Sequence, residues 1–129
     1  MDEPIKFDLE FVIQVSPSLL YNYIATPSGM SEWFADNVNS RGEFFKFIWD
    51  GQEEKAKIIK RVSGERARFQ CDYDEDTKKY FELRIQVDEI TKDVSLIITD
   101  FGDDDDEVEE QKMFWENQIA GLKKVLGSR

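Results

Sequence analysis

Between residues 5 and 15 apolar and polar positions alternate. Phe7, Leu9, Phe11, Ile13 and Val15 fall on one face, and Lys6, Asp8, Glu10 and Gln14 mostly on the other. A period of two predicts a half-buried antiparallel strand. The pattern breaks at Ser16-Pro17, a helix cap followed by a residue suited to the first helical position. Leu19, Leu20, Tyr23 and Ile24 then supply the inward side of a short helix. Thr26-Pro27 repeats the start signal and predicts a second helical turn around Met30, Trp33 and Phe34.

After residue 37 the period returns to two. Phe45, Phe47 and Trp49 share a face opposite Phe44 and Ile48, and Asp50-Gly51 is a hairpin turn signal. The returning strand places Ala56, Ile58 and Lys60 alike. The next sets Ala67, Phe69, Cys71 and Tyr73 against Arg66, Arg68, Gln70 and Asp72. Phe81, Leu83, Ile85 and Val87 alternate with Glu82, Arg84 and Gln86. In the last strand Leu96 and Ile98, with Asp100 in phase, alternate against Ile97 and Thr99. Residues 37–39 are candidates for one more edge strand, so the sheet has six or seven strands.

Over 107–126 the period becomes helical. Val108, Trp115, Ile119, Leu122 and Leu126 form one stripe, flanked by Phe114 and Val125, with Gln111 and Gln118 between. At about 1.5 Å per residue this helix is about 30 Å long, roughly the width of a small domain. Amphipathic strands need one covered face, and the long helix needs a floor. The expected architecture is α+β: a curved antiparallel sheet of six to seven strands wrapped around the terminal helix, as one domain over 1–129.

Composition narrows the function classes. With 17 basic and 28 acidic residues the formal charge is -11, which disfavours nucleic acid and anionic membranes. One cysteine excludes an internal disulfide, and the acidic start without a sustained apolar run leads to a cytoplasmic expectation. Histidine is absent, so histidine-based triads and zinc sites are excluded. The seven glycines lie scattered and form no phosphate loop. No catalytic residue, metal ligand or cofactor is assigned. The run 103–106 fits helix capping by Asp105 or Asp106 better than a calcium loop, which needs alternating ligands and a glycine bend.

The aromatic series is the most function-like feature. Trp33, Phe34, Phe45, Phe47, Trp49 and Phe69, with Tyr73, Phe81, Phe101, Phe114 and Trp115, exceed what a simple sandwich of this size needs. They either fill the interior or line an apolar pocket between sheet and helix. Cys71 and Ile119 share that face and complete the cavity candidates. Cys71 is expected as an inert buried thiol. Tyr73 and Trp115 bring polar handles, and Tyr73, Asp100 and Tyr80 are the residues an acid–base reaction would draw on.

The order of elements and several short motifs resemble the START-like (SRPBCC, Bet v 1-like) superfamily, in the branch related to activators of the Hsp90 ATPase. Pro17, Thr26-Pro27, Met30 and Trp33-Phe34 stand in matching places, and Tyr21 replaces the usual Trp. Arg41-Gly42-Glu43-Phe44 resembles that branch's Gly-Gly-x-Phe with one glycine lost, and Phe101-Gly102 reverses its Gly-Phe. Trp115, Ile119, Leu122-Lys123 and Leu126 match its terminal helix. Two stretches depart: Lys55-Ala56-Lys57-Ile58, where relatives often carry a histidine, and the acidic run at 103–106. The resemblance implies a helix-grip fold that binds a hydrophobic or amphipathic small molecule without chemistry. Its alternatives are a protein-interaction module with a co-chaperone role and a cyclase- or dehydratase-like enzyme. Either a monomer or a homodimer fits.

Overall fold

The structure, a computed structural model, describes residues 3–127. Its elements in chain order are β1 (Ile5–Val12), α1 (Pro17–Ala25), α2 (Pro27–Met30), β2 (Asn37–Arg41), β3 (Phe44–Trp49) and β4 (Gln52–Val62), followed by β5 (Arg66–Cys71), β6 (Phe81–Val87), β7 (Val94–Gly102) and α3 (Asp105–Leu126). A single turn of 3-10 helix, Asp72–Asp74, follows β5. The seven strands form one antiparallel sheet in the order β1-β7-β6-β5-β4-β3-β2. Residues 37–41 are the extra edge strand, so the larger of the two expected strand counts is the right one.

Short-range chemistry sets the boundaries. Ser16 accepts from the Leu19 amide at 3.2 Å and starts α1. Thr26 accepts from the Gly29 amide at 3.0 Å and donates to the Asn22 carbonyl at 2.6 Å, closing one helix and opening the next. Asp104 is the cap of α3, its carboxylate accepting from the Glu107 amide at 2.8 Å. That corrects the expected cap at Asp105 or Asp106 and moves the helix start to Asp105. Those two acids and Glu107 occupy the first turn, where the exposed amide dipoles favour negative charge.

The inward placing of Leu19 and Lys60 and the end of β1 change. Leu19 lies on the outside of α1, because Leu20 and Ile24 already take the buried side. The register of β4 against β5 shifts between Ile58 and Lys60, so Ile58 opposes Phe69 whereas Lys60 opposes the outward Arg68. One bulged residue therefore turns Lys60 away from the core. Strand β1 ends at Val12, short of the alternation through Val15.

The core lies between the concave sheet face and α3, with Trp115, Phe47, Phe69, Leu83, Leu96, Ile98, Ile119 and Leu122 fully buried. One of the two polar residues in the helical stripe, Gln118, makes a bond there. It donates its side-chain amide to the Phe34 carbonyl at 2.5 Å, fastening the segment after α2 onto α3. Gly102 makes the other junction close: a Cβ there would lie 2.7 Å from the Val108 backbone nitrogen.

Candidate functional site

The concave face is not filled throughout. Where β7 ends and α3 begins, a cavity of about 340 Å³ opens toward solvent. That lies within the range of roughly 300–1,000 Å³ common for small-molecule sites. Phe47 and Trp49 come from β3, Glu54 from β4, Cys71 from the end of β5, and Tyr73 and Asp74 from the 3-10 turn. Lys79, Tyr80 and Phe81 enter with the start of β6, and Asp100 and Phe101 close β7. Glu107, Gln111, Phe114 and Trp115 descend from the first half of α3, and Phe34 from the segment after α2.

Phe34 is the hub of the aromatic wall. Its ring stacks on Trp115 at 5.6 Å and on Phe81 at 5.5 Å, and meets Phe47 and Trp49 edge-on at 5.0 and 5.3 Å. Offset and edge-to-face geometries of this kind hold rings rigidly. Each tryptophan of the cluster has its N–H satisfied. Trp33 donates to the Tyr23 carbonyl at 2.7 Å, Trp49 to the Phe34 carbonyl at 2.9 Å, and Trp115 to an Asp100 oxygen at 2.7 Å.

Of the twelve cavity candidates, Phe34, Phe47, Trp49, Cys71, Tyr73, Phe81, Phe114 and Trp115 line this space. The other four lie behind it. Trp33 packs edge-on against Phe34 at 5.5 Å, and Phe45 against Phe69 at 5.1 Å. Phe69 stacks beneath Phe81 at 5.1 Å, and Ile119 is buried in the core. Tyr73 is 70% exposed: β5 has ended two residues earlier, so the ring sits at the mouth rather than on the strand face.

Of the polar lining, Tyr73, Tyr80 and Asp100 are the expected acid–base candidates, and the remaining polar residues lie outside the expected set. Glu54 was legible, because the alternation through Ala56 and Ile58 puts it on the inner face, opposite Phe47. Gln111 was legible as a polar gap in the helical stripe, one turn before Trp115. Asp74, Lys79 and Tyr80 come from the connection between β5 and β6, whose path no periodicity announces.

Asp100 points inward, as its phase in β7 indicated. Burial pushes its carboxyl up to about 6, even though the Trp115 N–H and the Phe101 amide, at 2.8 Å, pull the other way, and the charges of Asp74 and Glu107 push it further up. Burial likewise pushes the Cys71 thiol up to about 12, which leaves it protonated and unreactive at neutral pH. Burial alone would lower the Lys79 ammonium, but Asp103 at 3.1 Å and Asp74 at 3.8 Å outweigh it and raise it. Among the described residues no group of three or more acidic or cysteine side chains is arranged to hold a metal ion.

A curved sheet gripping one long helix, with a cavity at its open end, defines a class, the helix-grip proteins. A family model for the START-like superfamily domain matches residues 1–128, and the chain belongs to that superfamily. Its fold is similar to that of BfR322 from Bacteroides fragilis, solved by NMR, at 31% identity over 97% of this chain and 93% of that one, with a TM-score of 0.69. It is also similar to Aha1 from Colwellia psychrerythraea, solved as a dimer, at 16% identity over 95% and 96% of the two chains, with a TM-score of 0.77. At 12% identity, the DynU16 protein of the dynemicin biosynthetic locus matches with a TM-score of 0.79, over 95% of this chain and 47% of that one. No functionally curated protein matches the chain. No helix among the described residues is long and apolar enough to cross a membrane.

Proposed function

We propose that the protein binds a small amphipathic molecule with an apolar body in the cavity between the sheet and α3, and does no chemistry on it. The observation that carries this reading is the cavity itself: about 340 Å³, walled by interlocked rings and left open at one end. Rings held this rigidly keep the space open before a ligand arrives, so little ordering entropy opposes binding. Both oxygens of Asp100 already accept hydrogen bonds and the Cys71 thiol stays protonated, which favours recognition over proton transfer or nucleophilic attack.

Native mass spectrometry of protein taken gently from extract should find a retained small molecule. A neutral probe, naphthylethanol, should shift the Trp115 indole N–H resonance saturably. Gln111→Trp, which fills the cavity from a helical position, should abolish both. A protein that retains nothing and a Trp115 signal that does not move would defeat the reading.

A further inference from the structure

We infer that the cavity's ligand is a cationic amphiphile, an aromatic or aliphatic body carrying a protonated amine. The inference rests on the proposed function and adds the charge of the ligand. Among the lining residues Glu54, Asp74, Asp100 and Glu107 are acids, and Lys79 is the single base. That base is already engaged, at 3.1 Å from Asp103 and 3.8 Å from Asp74. An incoming carboxylate or phosphate would have to displace them while facing the remaining acids.

Among the described residues Glu54 and Glu107 form no ion pair, although the Tyr73 side chain meets Glu54 and the Lys79 charge reaches Glu107. Both are half-buried. They reach the cavity from opposite walls, one from β4 and one from the first turn of α3. The rings of Trp49, Phe114 and Phe101 line the same space. An ammonium group is attracted both by carboxylates and by the faces of such rings, and partial burial strengthens both attractions. A neutral headgroup gains neither, and an anion is repelled.

Three probes with one naphthyl body separate the cases: naphthylethylamine, naphthylethanol and naphthylacetate, titrated calorimetrically into the whole protein at physiological salt. The amine should bind roughly tenfold tighter than the acid and several-fold tighter than the alcohol. Glu54→Gln should narrow the amine-to-alcohol ratio. Glu89→Gln, the same change of charge on an exposed loop between β6 and β7, should not. Circular dichroism of both variants checks that they fold.

An acid that binds as tightly as the amine overturns the inference, as does an amine no tighter than the alcohol. Equal narrowing by the two substitutions overturns it as well, since general attraction to an acidic protein would then explain the preference. In each of these results the neutral alcohol still binds and the cavity reading stands. If no probe binds, both fall together.

Discussion

At the scale of single residues, Asp100 is where burial and hydrogen bonding compete. A carboxyl whose folded pKa of about 6 exceeds the usual value of about 3.9 binds its proton more tightly in the folded protein. Its contribution is therefore fully favourable below about pH 4 and is lost as pH rises through about 6. The two-unit difference corresponds to at most about 3 kcal/mol. Asp100→Asn cannot ionise and keeps one oxygen for Trp115 or Phe101. Urea unfolding at pH 4 and pH 7 should show the variant gaining roughly 2–3 kcal/mol on the wild type over that interval. A constant difference at the two pH values would mean that Asp100 is not strained by burial. Alternation through Leu96 and Ile98 pointed this acid inward. Its partner Trp115 was not readable, because the two residues meet only when α3 lies across β7.

At the scale of elements, the joint between β7 and α3 is set by one glycine. The approach of Val108 leaves no room for a methyl group at Gly102, so Gly102→Ala should cost roughly 1–3 kcal/mol by strain. Gly121, inside α3, offers the opposite case: a Cβ there meets nothing within 4 Å. Gly121→Ala should therefore stabilise by about 0.5–1 kcal/mol through helix propensity alone. Paired denaturant midpoints check both signs, and Gly102→Ala at the wild-type midpoint would refute the close joint. The elements themselves were largely legible. Serine and threonine before proline announced α1 and α2, and strict alternation announced most strands. The cap at Asp104 was missed because four consecutive aspartates offer equivalent side chains. Only the path of the chain out of β7 selects the one whose oxygen meets the Glu107 amide. Lys60 was misplaced because alternation continues on paper through a bulge that the pairing register alone reveals.

At the scale of the whole molecule, charge acts against compactness. Twenty-eight acidic residues against 17 basic ones repel each other in the folded state, and many cluster around the start of α3. Screening by salt should relieve part of that repulsion. Raising salt from about 0.02 to 0.3 M at neutral pH should raise Tm by roughly 2–5 °C. A Tm that falls over the same range would show that the ion pairs, such as Arg68 with Glu82 at 3.1 Å, outweigh the net repulsion.

The helix-grip architecture was determined by the sequence alone, because amphipathic periodicity is a local property. Six or seven half-buried strands and one long striped helix have few ways to cover one another. The aromatic excess likewise showed that rings would crowd that interface. Whether they would fill it was decided only in three dimensions. Phe69 and Ile119 share a face with Phe47, Phe81 and Trp115, yet the first two lie in solid core and the last three border open space. The curvature of the sheet and the close approach of α3 to β7 at Gly102 separate the two groups. So does the β5–β6 connection, which carries Asp74 and Lys79 to the mouth. These are sums over many contacts and not properties of any one stretch, so no periodicity along the chain encodes them.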